Sequence, residues 1–184
     1  MNILFVCTGN ICRSPMAEAM LRHLLAERGV DGVTVSSSGT WGLDGEAATG
    51  LGIEELRGRG IVGSSPHIAR SLTRDQLDAA DLVVAMTSVH VREITDRDPT
   101  AIAKTVLLKD LPAIEFRTDG GSPSDRLRAL VAAPRPRWKR STDVDDPMGL
   151  PSFAYKRTGD ELWSALSHLM GALWPQETGD AENP

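Results

Sequence analysis

Two cysteines are all that the 184 residues contain, and both lie in one short segment, at positions 7 and 12. Five residues apart, they cannot tie distant parts of a chain together, so a disulfide scaffold of the secreted kind is excluded. No histidine stands beside them, which removes a structural zinc site, and no metal is expected. No apolar stretch approaches the ~20 residues that span a bilayer. The charge-free start, residues 1–9, is too short for a signal peptide, so a cytoplasmic location is expected. Lys and Arg number 20 against 25 Asp and Glu, a net charge of −5. No global positive field exists to hold nucleic acid or an anionic membrane, and neither is expected as a partner. A nucleotide loop of the Gly-x4-Gly-Lys-Ser/Thr form is missing too, as are internal repeats and low-complexity tracts. The length suits one domain with a single core, expected over residues 1–174. The stretch 175–184 holds three acids and no aliphatic residue larger than Ala181, and reads as a flexible acidic tail.

What is present alternates between strand and helix patterns. Asn2-Ile3-Leu4-Phe5-Val6 is a short apolar run of the kind buried on both faces of a sheet, ending at Cys7. Pro15 and Glu18 then stand where a first helical turn favours a proline and an acid. Ala17, Met20, Leu21, Leu24 and Leu25 follow at helical spacing, and Gly29 marks the stop. Further strands are expected at 33–36, 82–86 and 105–108. Helices are expected through Ala47 to Leu56, through Val89 to Ile94, and from near Ser152 through Leu173. This alternation predicts an α/β fold, a three-layer sandwich around a central four-stranded parallel sheet. Ligands of such sheets bind beyond the carboxyl ends of the strands, where Cys7 falls. Residues 112–142 fit less well. They hold four prolines, a Gly-Gly pair and seven Arg or Lys against three acids. A basic surface insert is expected there, with a short helix at 124–131.

The segment Cys7-Thr8-Gly9-Asn10-Ile11-Cys12-Arg13-Ser14-Pro15 has the form Cys, five residues, Arg, Ser. Between a strand and a helix N-terminus, such a loop can turn successive N–H groups inward as an anion nest backed by the helix dipole. Phosphate or another oxyanion fits that chemistry. Gly9 allows close approach and a positive φ, and Asn10 tolerates a left-handed conformation. Arg13 offers a planar fork for two phosphate oxygens. The same dipoles and guanidinium would stabilise a Cys7 thiolate, the form that attacks phosphorus, and Ser14 can donate to that sulfur. An acid is needed as well, to protonate a departing phenolate and later to take a proton from water. Asp143, Asp145 and Asp146 are the nearby competitors, and Pro147 limits the freedom of the last.

The chain closely resembles the low-molecular-weight protein tyrosine phosphatases. The resemblance rests on the string from Val6 to Glu18, on Ser38-Gly39-Thr40, on His67-Ile68-Ala69-Arg70 with Leu72-Thr73, on Asp81 and Met86, and on Asp146-Pro147. These landmarks run in the family's order from the first strand to the last helix. The resemblance implies hydrolysis of phosphotyrosine in proteins through a phosphocysteine, without metal or other cofactor. It implies Cys7 as nucleophile, Arg13 as phosphate clamp and Asp146 as general acid. Ser14 would stabilise the thiolate, and Thr8, Gly9, Asn10, Ile11 and Cys12 would complete the substrate loop. Asn10 would be held by a polar network including Ser38 and His67. Trp41 falls where the family places a variable wall of the cleft, so it either stacks on an aromatic substrate or is a plain core tryptophan. Cys12 either packs under the loop or, as the resemblance implies, traps oxidised Cys7 in a disulfide.

Two departures touch the rim. Thr87 follows Met86 where many members carry an acid, and Met148-Gly149 follow Asp146-Pro147 where the better-known tyrosine phosphatases place aromatic residues. The nearest rival activity is a protein arginine phosphatase of the same fold, whose pattern has Thr where this chain has Ile11. An arsenate reductase of this fold needs further cysteines after Cys12, and none exists. A non-catalytic phosphoprotein-binding module is the rival of a different class. Arg135-Pro136-Arg137-Trp138, close in sequence to the acid loop, reads as a solvated loop or as a dock for acidic, phosphorylated partners.

Overall fold

In the computed structural model, which describes residues 1–62, 66–115, 121–134 and 142–176, the apolar N-terminal run forms strand β1 (Asn2–Cys7), buried at all but its first residue. It lies inside a four-stranded parallel sheet of order β2-β1-β3-β4, with β2 at Thr34–Gly39, β3 at Leu82–Ala85 and β4 at Thr105–Leu107. Alternation along the strands sorts side chains onto two faces. Ile3, Phe5, Cys7, Val35, Leu82, Val84 and Val106 pack with helices α1 (Arg13–Glu27) and α6 (Ser152–Leu173). Leu4, Val6, Val83, Ala85 and Leu107 pack with α3 (Arg74–Ala79) and α4 (Ser88–Arg97). Each fully buried side chain of this kind contributes ~2 kcal/mol, so both layers are held by the sheet they cover. The expected three-layer sandwich with four parallel strands is the observed architecture.

Element boundaries shift where polar residues take structural work. The first helix starts at Arg13 rather than near Pro15, with Cys12 as a cap residue that offers no side-chain bond. Its first N–H groups are therefore left for the loop. Glu18 lies beyond the first turn. Its buried carboxylate accepts from Ser37 Oγ at 2.5 Å and pairs with Arg22 at 2.7 Å. Strand β2 runs on through Ser37, Ser38 and Gly39, residues whose composition does not read as strand. Their burial is compensated by hydrogen bonds, described below. Helix α2 (Gly50–Gly58) begins later than the Ala47 pattern suggests, because Ala47 bridges to Ile68.

Helix α3 has no counterpart in the sequence reading, although Thr73-x-x-Gln76 forms a complete capping box at its start. Within the segment 112–142, the described part is mostly helix α5 (Pro123–Ala132), with Leu127 and Leu130 buried and Arg126 Nη1 donating to Leu173 O at 3.2 Å. The short helix expected there is present. The Arg135–Trp138 stretch and residues 177–184 of the tail lie outside the described residues.

One glycine is fixed by space. A Cβ on Gly39 would stand 2.3 Å from Thr8 O and 2.8 Å from Gly42 Cα, both backbone atoms that cannot swing aside. Gly39→Ala should therefore push the loop after β1 out of place. We expect a loss of about 2 kcal/mol in urea denaturation together with loss of anion binding. Unchanged values for both would show that the backbone yields.

Candidate active site

The loop between β1 and α1 turns at Asn10, the one non-glycine residue with positive φ (58°) among those described. Gly9 allows a positive φ but does not adopt one. A Cβ there would meet Leu43 Cδ1 at 3.5 Å and Ile11 Cγ1 at 3.6 Å, ordinary contact distances. The left-handed turn is the work of the asparagine. Its N–H donates to Cys7 Sγ at 3.3 Å, and its Nδ2 donates to Ser14 Oγ at 2.9 Å and to Ser37 Oγ at 2.8 Å. Its Oδ1 accepts from Arg70 N at 3.0 Å, and its carbonyl accepts from His67 Nε2 at 2.8 Å. Ser14 Oγ lies 2.9 Å from Cys7 Sγ. Since Asn10 already donates to Ser14, the hydroxyl proton of Ser14 is free to point at the sulfur.

The expected place of Ser38 in this network is taken by Ser37. Ser38 Oγ instead donates to Gln76 Oε1 at 2.9 Å on the α3 face. Strand parity is the reason. Ser37 shares a face with Val35, which packs toward α1, whereas Ser38 faces the other way. That parity was available in the sequence once Val35 was placed.

Arg13 is 4% exposed. Its Nη1 donates to Val144 O at 3.2 Å, and its Nη2 reaches Asp146 Oδ2 at 2.6 Å and Thr8 Oγ1 at 3.4 Å. Its Nε is buried with no hydrogen-bond partner among the described residues, a spare donor of the kind an oxyanion satisfies. The three aspartates separate clearly. Asp143 accepts from Ser88 N at 2.6 Å and from Ser88 Oγ at 3.2 Å, which ties the acid loop to α4. Asp145 pairs outward with Arg157 at 3.1 Å. Only Asp146 of the three touches Arg13, and it is half exposed, open to a substrate. Val144 N donates to Met86 O at 2.8 Å and fastens this loop to the end of β3.

Cys12 lies beneath, its Sγ 3.5 Å from both Thr49 Oγ1 and Tyr155 OH and 3.8 Å from Met148 Sδ. Burial pushes its thiol above the ordinary range, against the opposing hydrogen bonds of Thr49 and Tyr155. Both cysteines are free. Trp41 is 69% exposed, with Nε1 donating to Glu93 at 3.0 Å, so it is not a core tryptophan. Its backbone N–H donates to Thr8 O at 3.0 Å, which sets the ring beside the loop. No group of three or more potential metal-binding side chains occurs among the described residues, and no helix is long and apolar enough to cross a membrane.

His90 escaped the sequence reading. It is buried on α4, with Nε2 at 2.9 Å from Thr8 Oγ1 and Nδ1 at 2.9 Å from Thr87 Oγ1. Burial, reinforced by the positive charge of Arg13, lowers its pKa to about 4. The signal in the sequence is slight. Thr87 is three residues upstream, as a helix cap would be, but nothing there points to the phosphate loop.

A strand-to-helix loop at the carboxyl end of a parallel sheet, with a buried cysteine and a buried arginine paired to an aspartate, fits a phosphatase class. Comparison with known proteins makes this specific. The family model for low molecular weight phosphotyrosine protein phosphatase matches residues 2–118, and the chain belongs to that family. A protein-arginine-phosphatase of Geobacillus stearothermophilus is 33% identical over 175 residues, covering 95% of this chain and 97% of that one. A probable low molecular weight protein-tyrosine-phosphatase, EpsP of Ralstonia solanacearum, is 39% identical over 114 residues, 62% of this chain and 74% of that one. The solution structure of a low molecular weight protein tyrosine phosphatase from Bacillus subtilis superposes with a TM-score of 0.72 at 32% identity. It covers 94% of this chain and 97% of that one. The protein is an enzyme of the phosphatase type.

The depressed His90 pKa makes stability pH-dependent. Between pH 6.5, the usual histidine value, and pH 4, the unfolded chain binds a proton that the folded chain refuses. Stability from this group is therefore full above pH 6.5 and is lost as pH falls toward 4. Denaturation at pH 7 and pH 5 should show a loss of about 2 kcal/mol that the His90→Gln protein does not suffer. Equal losses in both proteins would contradict a neutral, buried His90.

Proposed function

We propose that the protein hydrolyses phosphotyrosine in proteins through a phosphocysteine intermediate. The observation that carries the tyrosine reading is Ile11. Together with Leu43 it borders Gly9 and makes one side of the loop apolar, a surface suited to a phenyl ring. A phosphoarginine guanidinium, rich in N–H donors, would find no side-chain acceptor at that position. Trp41 is the candidate for the facing aromatic wall.

The geometry supports the following steps. The Cys7 thiolate, steadied by Ser14 and the Asn10 N–H, attacks phosphorus while Arg13 and the loop N–H groups hold the phosphoryl oxygens. Asp146 gives its proton to the departing phenolate. A water molecule then attacks the phosphocysteine, Asp146 takes its proton, and the S–P bond breaks to release phosphate.

A second reading, protein arginine phosphatase, is favoured by the nearly complete coverage shared with the Geobacillus stearothermophilus arginine phosphatase. Its likeness runs through the acid loop and last helix, whereas the Ralstonia solanacearum tyrosine phosphatase matches over a shorter part of the chain. Parallel assays on phosphotyrosine and phosphoarginine peptides decide between the two. We expect kcat/KM at least tenfold higher on phosphotyrosine, a shift toward phosphoarginine in Ile11→Thr, and no turnover of either by Cys7→Ser. A preference for phosphoarginine in the wild type would reverse the assignment, and no turnover of either would leave only a binding module.

The sorting of the three aspartates gives a separate expectation. Asp146→Ala should lower kcat on a phenyl phosphate ester by about 10²-fold or more. Asp145→Ala should stay within about twofold, since its carboxylate faces Arg157. A large loss in Asp145→Ala with little in Asp146→Ala would transfer the acid role.

A further inference from the structure

One buried histidine of the site, with no part in the steps above, leans on an exposed loop hydroxyl. His90 is 2% exposed, yet both its ring nitrogens meet threonine hydroxyls, Thr87 on one side and Thr8 on the other, each at 2.9 Å. Thr8 is exposed at the mouth of the loop. Its Oγ1 also accepts from Arg13 Nη2 at 3.4 Å, the same nitrogen that holds Asp146 Oδ2 at 2.6 Å. The hydroxyl of Thr8 thus stands beside both the clamp and the acid.

We propose that Thr87, His90 and Thr8 form a directional hydrogen-bond chain that aims the Thr8 hydroxyl proton at the oxyanion held in the loop. His90 is then a positioning residue and Thr8 an additional side-chain donor to the phosphoryl group. The inference deepens the phosphate-loop reading above and rests on it.

The direction follows from counting donors and acceptors. A neutral imidazole carries one N–H and one lone pair. Thr87 Oγ1 already accepts from the His90 backbone N–H at 3.3 Å. If Nδ1 also donated to it, the proton of half-buried Thr87 would have no protein acceptor among the described residues, whereas the other tautomer leaves over the proton of exposed Thr8, which solvent or an anion can take. With the proton on Nε2 instead, Thr87 O–H donates to Nδ1 and Nε2–H donates to Thr8 Oγ1. Thr8 Oγ1 then receives two N–H donors, from His90 and Arg13, and its own proton must seek a third partner. In the loop that partner is the anion. A charged imidazole would donate on both sides, but burial and the Arg13 charge outweigh the opposing Glu93, Asp146 and Asp143 and keep the ring neutral. A hydroxyl so aimed needs no reorganisation when negative charge builds on the phosphoryl oxygens.

The test measures inorganic phosphate affinity by calorimetry and kcat/KM on an aryl phosphate for wild type, Thr8→Val, Thr8→Ser, His90→Gln and the Thr8→Val/His90→Gln double variant. Thr8→Val should lose about 10-fold or more in both quantities, and Thr8→Ser should stay within about threefold. His90→Gln should lose about as much as Thr8→Val, and the double variant no more than either, because the two act as one unit. Nitrogen-15 NMR of the wild type at pH 7 should show a neutral His90 with the proton on Nε2. Wild-type phosphate affinity in Thr8→Val, additive losses in the double variant, or a proton on Nδ1 would each overturn the proposal. Thr8→Val is a near-isosteric change at an exposed site, so its readout does not depend on His90→Gln folding. Phosphate binding in the wild type without turnover would defeat the phosphatase reading alone. Turnover indifferent to Thr8 would defeat only the hydrogen-bond chain.

Discussion

The hydrogen bonds around Asn10 hold the phosphate loop in a shape that a free chain would avoid. A left-handed φ costs roughly 1 kcal/mol or somewhat more for a residue with a side chain. Against this stand five bonds to Cys7, Ser14, Ser37, His67 and Arg70. At about 1 kcal/mol each for buried bonds, they outweigh the strain. They also join elements far apart in sequence, the loop, β2 and the segment carrying His67 and Arg70. Glycine would turn as easily, but it offers no carboxamide to bind Ser14 and Ser37. The orientation of Ser14 toward the sulfur would then be lost, and with it the support of the nucleophile.

How much of this was legible in the sequence depended on whether the signal was local. The strand, the anion loop and the first helix are contiguous, so their periodicity and residue types disclosed Cys7 and Arg13 together. The four strands were visible because parallel strands buried on both faces are continuous apolar runs. Polar residues at buried positions broke that rule. Ser37 and Ser38 fall outside the strand expected at 33–36, though they extend β2, since their burial depends on partners on α1 and α3 rather than on their own composition. Helix α3 is short and has little periodicity, and its capping box was the legible mark. Apart from the family resemblance at Asp146-Pro147, the residues alone left Asp143, Asp145 and Asp146 unranked, because the three differ in which distant residue each one faces. His90 was hidden for the same reason, being 82 residues from the hydroxyl it binds.

Substrate choice rests on a different layer of the site from the phosphate chemistry. In the proposed mechanism the nest, the sulfur and the guanidinium act on the phosphoryl group whatever it is attached to. Discrimination falls to the rim, where Ile11, Leu43, Trp41 and Met148 stand partly or largely exposed. A site that binds a guanidinium by its N–H groups rejects a phenyl ring mainly through unpaired acceptors, and the reverse holds for an apolar wall. Descent along the whole chain and chemistry at one rim position therefore carry different information. The first speaks to the fold and the acid loop, the second to the leaving group.

Arg13 connects these layers. One guanidinium nitrogen reaches the carbonyl of Val144 and the other reaches Asp146 and Thr8, so the proposed phosphate clamp also fastens the loop that carries Asp146. The loop is held from its other side by Val144 N on Met86 O and by Asp143 on Ser88. In the proposed mechanism, an acid positioned by the same group that grips the phosphate would stand in register with the bond to be broken. A lysine could supply the charge but not two separated nitrogens in one plane. The fork thus sets clamp and acid at a fixed spacing, while its buried Nε remains unpaired among the described residues and open to an oxyanion.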